Sequence, residues 1–467
     1  MSVDNQDKPT PVSAKTKIAL GAAGVGLVLA IAKFVGNGSP PTGPSPSPAA
    51  PSSSVATSDA AETAGQAFDF AHVCSHGSGA TVPTGSGAET DEYYAAVSSV
   101  LKLGDFGTLD AVLGYLGFHL TAKALQDTEP ATLMSAPNPV GSVLAARFFA
   151  PKITDVGQAN SPAAAVGWRK LVRLRAASGS AAAANGVEAA FILFNFFAPI
   201  GAVNPFAGAD SVNTQVMLVS SRTDRAPIYW LDYAKTSDGA KISKELDAFF
   251  DAGHTPDNAG KRAYFVPCGC IACHGGLQLD FAAKPPDPVW EPEKPLLNYL
   301  DTDHWFDRIA PGEDFAKLTA PVIFDSGGFD VIRELNTEMR DQNQRVQPGS
   351  VQQRAASHWL DLHASSAQHV DNLALRALAP DGGATRWNAK DPNDMTALKR
   401  LNHYCFRCHG SVEFDVFDKA MLLSIRSPLL SRLQPRGTLS DARATMPPDR
   451  DMVDADRSAL RAFILAH

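Results

Sequence analysis

Cys270-Ile271-Ala272-Cys273-His274 and Cys405-Phe406-Arg407-Cys408-His409 repeat one pattern, C-x-x-C-H, at two places in a 467-residue chain. The whole sequence holds 6 Cys and 12 His, so composition alone makes one chance match an event on the order of 0.002 per chain. Two matches therefore carry chemistry. A shared zinc site would bring both thiol pairs to one ion, as in a ribbon. Here 131 residues separate Cys273 from Cys405, and each pair is followed by its own His. A thioredoxin-type redox pair occurs once and sits in a βαβ context. The remaining use of this spacing is covalent haem: two thiols form thioethers with the vinyl groups, and the adjoining His lies under the iron.

On these residues the chain resembles the c-type cytochromes and is similar to their dihaem members. The resemblance implies two covalently bound haem c groups. Cys270 and Cys273 hold one and Cys405 and Cys408 the other, with His274 and His409 as proximal iron ligands. From about Asp391 to His467 the likeness is to a class I cytochrome c module. Met395 to Tyr404 predicts a helix leading into Cys405, and Asp454 to Ala466 a closing helix with Leu460, Phe463 and Ile464 on one face. Met446-Pro447-Pro448 lies between them, 37 residues after His409. In class I cytochromes the distal Met sits on that loop, which implies Met446 as the sixth ligand. The two prolines hold Met446 extended and stiffen its loop. Met421 reads as a helix-core residue, and Met452 abuts the last helix. For the first haem the sixth position stays open among Met339, His304, His358 and His369, or unfilled. Cys74 and Cys268 are left over. Outside the cytoplasm they suggest a disulfide, the alternative being a Cys268 thiol shielded by the haem.

Composition bounds the rest. At 45% hydrophobic the chain can bury two or three cores. A net charge of −8 and a pI near 5.8 argue against a nucleic-acid partner and suit docking on a basic patch of a redox partner protein. Lys15 and Lys17 precede the apolar run Ile18 to Ala32, and no Lys or Arg follows Lys33 until Lys102. That asymmetry predicts a cytoplasmic N-terminus and an exported remainder, on the periplasmic side of a bacterial inner membrane. Residues 1–36 are thus expected to be a membrane anchor (a transmembrane helix) or a cleaved signal sequence. Residues 37–65, rich in Pro, Gly and Ser, are expected to be a linker.

The predicted fold class is α+β: a mainly antiparallel sheet with helices in the N-terminal region, followed by mostly α-helical haem regions. Residues 66–240 form the α+β domain, 241–385 the first haem region and 386–467 the class I-like module. Helical spacing marks Thr90 to Leu103 and Thr108 to Gln126. Strand-like runs are Lys170 to Arg175, Val187 to Phe197, Gln215 to Val219 and Pro227 to Tyr233. Helices are further expected at Ile242 to Ala252, Tyr299 to Ile309 and Val351 to Leu378, with Ala282 to Pro295 too proline-broken for regular structure. No phosphate loop or nucleophile elbow accompanies the sheet. The functional expectation is single-electron transfer between redox partners. The alternative is a dihaem peroxidase- or oxidase-like enzyme working at the first haem. The 135-residue spacing from His274 to His409 suits that plan, while the Tyr-Phe-His stretch of such enzymes is missing.

Overall fold

β-Branched and aromatic runs build the sheet that organises the larger part of the chain. The computed structural model describes residues 86–135, 142–150, 165–199, 202–236, 239–246, 264–280, 287–302, 323–364, 387–388, 390–405, 414–435 and 452–467. Six strands pair antiparallel in chain order: β1 (Val143–Phe149), β2 (Ala165–Arg175), β3 (Val187–Pro199), β4 (Asn213–Ser220), β5 (Ile228–Thr236) and β6 (Gly239–Ser243). Helix α1 (Gly87–Leu101) precedes them, started by the Ser86 side chain accepting from the Glu89 N–H. The fold class is α+β.

The expected long helix from Thr108 is broken into α2 (Leu109–Tyr115) and α3 (Ala122–Asp127). Gly117 causes the break. It adopts φ +87°, and an added Cβ would approach the Ala177 Cβ to 2.7 Å, so both backbone and space require glycine. Thr121 then caps the new start by accepting from the Ala124 N–H. Helix α4 (Pro130–Ser135) leads to β1, and α5 (Ala181–Ala184) fills the loop between β2 and β3.

Three further expectations are corrected. Ile242 belongs to β6, opposite Tyr233, and not to a helix, because cross-strand pairing overrides a weak helical period. The proline-rich stretch yields β8 (Asp287–Pro295), antiparallel to β7 (Gly275–Asp280), and a two-stranded edge tolerates Pro288. Tyr299 to Thr302 is not helical. Instead two asparagines on α7 (Gly328–Val346) hold that segment against the helix. Asn343 Oδ1 accepts from the Leu297 N–H at 2.8 Å and its Nδ2 donates to the Leu297 carbonyl at 2.7 Å. Asn336 does the same for Leu300 at 2.7 and 2.9 Å. α8 (Val351–Leu362) packs against α7.

The sheet is covered on both faces, which is why β3 is buried almost throughout. Arg173, Phe191, Met217 and Trp230 stand side by side across β2 to β5 and so share one face. Arg173 and Arg175 on that face bind Glu338 of α7 at 2.9 and 2.6 Å. The opposite face receives the end of α3 through Lys170, whose ammonium donates to the carbonyls of Leu125, Gln126 and Thr128. A single apolar core runs from Tyr93 to Leu360, across the expected boundary between residues 240 and 241.

The C-terminal part is helical, with its own core around Trp387, Leu398, Leu401, Phe417, Leu460 and Ile464. Its helices are α9 (Pro392–Tyr404), α10 (Lys419–Ser424), α11 (Arg426–Arg432) and α12 (Asp454–Ala466). α9 begins as the sequence predicts, with Asp391 as cap and Pro392 in the first turn. α9 and α12 contact each other, as do α11 and α12. α8 joins the two cores. Val351 belongs to the second, whereas Ala355, Ala356 and Trp359 belong to the first.

The transmembrane expectation is corrected: among the described residues no helix is long and apolar enough to cross a membrane. The run Ile18 to Ala32 lies outside the described residues, and its fifteen positions would span only about 23 Å of helix against a hydrocarbon core of ~30 Å. The linker of residues 37–65 also lies outside them.

Candidate functional site

The first C-x-x-C-H forms the body of a short helix, α6 (Cys268–His274). Pro267 stands at its start and its carbonyl accepts from the Ile271 N–H at 2.9 Å. In this helix Cys270, Cys273 and His274 occupy positions i, i+3 and i+4, so one helical face carries both sulfur-bearing positions and the imidazole. Cys270 is a buried thiol and Ile271 is buried beside it. His274 is half-buried, with its Nδ1 atom inside the protein. The Cys273 side chain lies outside the described residues.

Three layers of contact fix α6. Thr90 Oγ1 of α1 donates to the Val266 carbonyl at 2.6 Å, just ahead of the helix. The Trp230 ring of β5 lies 6.2 Å from the His274 ring, centroid to centroid, with the planes at 50°. Behind the helix, the Leu296 N–H donates to the His274 carbonyl at 2.6 Å, and Leu297 is the residue that Asn343 clamps. Cys268 is disulfide-bonded. Its partner sulfur lies outside the described side chains, as does Cys74.

The electrostatics agree with this packing. Tyr93 and Tyr94 have their phenols raised well above the ordinary value, chiefly by burial. The nearby Cys270 adds to the rise in both, and Asp232 adds to it at Tyr94. Both hydroxyls are engaged with backbone: the Trp230 N–H donates to Tyr93 at 2.7 Å, and Tyr94 donates to the Ser243 carbonyl at 2.6 Å. The surroundings of Cys270 are thus apolar, aromatic and dry. A hydrophobic wall of this kind would suit a covalently held porphyrin.

At the second motif Cys405 is described. It is buried at the C-terminal end of α9, with its N–H on the Leu401 carbonyl at 2.8 Å. Tyr404, immediately before it, donates to Asp456 of α12 at 2.9 Å, and Arg400 binds the same carboxylate at 2.8 Å. Cys408, His409 and Met446 lie outside the described residues. The rival Met421 is buried in the helical core, where its sulfur accepts from Arg354 at 3.4 Å. Met452 is buried as well, its carbonyl held by Arg457 at 2.6 Å.

Of the sixth-ligand candidates for the first motif, Met339 and His358 are described and both are buried. Met339 lies on α7 between Asn336 and Asn343, the residues that bind the segment following β8. It also follows Glu338, which docks α7 on the sheet face that carries Trp230. His358 is on α8. His363 is fully buried, with its ring 4.3 Å from Trp359 and 5.1 Å from Phe329. His304 and His369 lie outside the described residues. Sequence reasoning missed Trp230, whose position beside the motif depends on strand pairing and leaves no local signal. No protein-family model, curated protein or solved structure matches the chain.

Proposed function

We propose that this chain is a dihaem c-type cytochrome that works outside the cytoplasm and passes single electrons between redox partner proteins. The observation that carries the reading is the duplicated C-x-x-C-H, supported by the helical placement of Cys270, Cys273 and His274 on one face. Bound at these positions, haem would supply a one-electron iron couple. The residues of the chain do the rest. Cys270 with Cys273, and Cys405 with Cys408, anchor the two groups, while His274 and His409 offer an imidazole to each iron. With Nδ1 of His274 turned inside, Nε2 is the nitrogen left to bind metal. Burial around Cys270 and Cys405 excludes water and reduces the reorganisation that electron transfer would otherwise require. Met446 would offer its thioether to the second haem, which would close that iron to substrates and raise its potential.

Thioether attachment at Cys273 requires that Cys268 pair with a different sulfur, and Cys74 is the leftover thiol. The test is peptide mapping of the exported protein together with a haem-dependent peroxidase stain after denaturing electrophoresis. Expected are two haem-bearing peptides, one spanning 270–274 and one spanning 405–409, and a Cys74–Cys268 cross-link. An unstained band, or a Cys268–Cys273 cross-link in the exported protein, would sink the reading.

A further inference from the structure

We infer that the N-terminal sheet is the wall of the first haem site, with Trp230 as the positioning residue that sets the plane of the His274 imidazole. The inference rests on the haem reading above and goes beyond it, because it gives residues 86–243 a task that no motif in them announces. First, the core is continuous. Cys268, Cys270 and Ile271 are buried in the same cluster as Tyr93, Phe191, Met217 and Trp230. Second, the links are specific and short. Thr90 holds the chain entering α6, and the hydroxyls of Tyr93 and Tyr94 bind the backbone of β5 and β6 beside Trp230.

The third observation is the geometry of the ring pair. Trp230 is 3% exposed and its backbone N–H is held by the Tyr93 hydroxyl, so its ring cannot swing away from His274 without opening the core. At 6.2 Å and 50° the two rings form a tilted pair, a contact that favours this orientation of the imidazole. The orientation of an axial imidazole, and the apolar packing around it, are levers on the potential of the iron it would bind. A task of this kind also explains the layout of β5. Strand alternation places Trp230 and Asp232 on the face shared with α7, while Tyr229, Leu231 and Tyr233 serve the other face.

The test uses the full chain with both haems loaded, comparing Trp230→Leu, Trp230→Phe and the parent by redox titration and by low-spin electron paramagnetic resonance. In Trp230→Leu one of the two Nernst components should move by about tenfold in its equilibrium constant, about 59 mV for a one-electron couple. Its resonance signal should shift or split while the other haem is unchanged. Trp230→Phe keeps an aromatic ring there and should recover at least half of the shift. If Trp230→Leu does not accumulate folded, Tyr93→Phe reads the same question, because it removes the hydroxyl beneath the Trp230 N–H and should perturb the same component alone. Folded variants whose two components and signals all superimpose on the parent overturn the inference and leave the haem reading standing. A parent chain without haem overturns both.

Discussion

Tyr404 and Asp456 join the two ends of the C-terminal module: the phenol donates to the carboxylate at 2.9 Å, one residue before Cys405 and in the first turn of α12. Asp456 also takes Arg400 at 2.8 Å, so one side chain ties the helix that leads into the motif to the helix that closes the module. Removing the phenolic hydroxyl with Tyr404→Phe is expected to cost about 1 kcal/mol. Asp456→Ala also strands the guanidinium of Arg400 and should cost about 2–3 kcal/mol. Urea unfolding followed at the absorbance of the second haem checks both. Equal stability of Asp456→Ala and the parent would show that the contact is idle.

Asn343 is the second point of leverage. It satisfies both backbone groups of buried Leu297, next to the residue bonded to the His274 carbonyl. Asn343→Leu keeps the volume and removes both bonds, leaving a buried N–H and a buried carbonyl unmet. The expected loss is about 2–4 kcal/mol. It is read as a lower denaturation midpoint with an unchanged denaturant slope. Asn343→Asp restores only the acceptor and should fall between the two.

Lys170 makes stability depend on pH in the alkaline range. Burial lowers its ammonium to about 8, against an unfolded value of about 10.4. Between those values the unfolded chain binds more protons than the folded one, so this contribution grows as pH rises from 8 to 10.4 and is lost as pH falls through 8. The slope approaches about 1.4 kcal/mol per pH unit. Lys170→Met should flatten it, and unfolding curves taken every half pH unit from 7 to 11 would show this. It should also release the end of α3, whose last carbonyls the ammonium caps.

Met446→Ala tests the distal assignment at the second haem. One of the two midpoint potentials should fall and the near-infrared methionine–iron band should disappear, while the component assigned to the first haem stays fixed. An unchanged band would move the assignment elsewhere, with Met452 the next sulfur in the module.

What can be read from the chain alone is the repeated C-x-x-C-H on which the haem proposal rests, together with many of the regular elements. C-x-x-C-H is a local pattern whose meaning lies in its spacing, so the two proposed attachment sites need no fold to be noticed. Apolar periodicity likewise located α1, α9, α12 and the four strands β2 to β5, because those segments carry their own signal. What stands next to Cys270 and His274 depends on long-range packing. Trp230 reaches His274 through strand register, and Asn343 holds Leu297 from 46 residues away. β6 forms because Tyr233 faces Ile242, although the local sequence favours helix there. The two pentapeptides look alike as sequence, and their surroundings differ. Cys270 lies in the core shared with the sheet, and Cys405 at the end of α9. A pattern of five residues specifies bonding chemistry but carries no information about long-range packing, and that packing fixes a ligand's orientation.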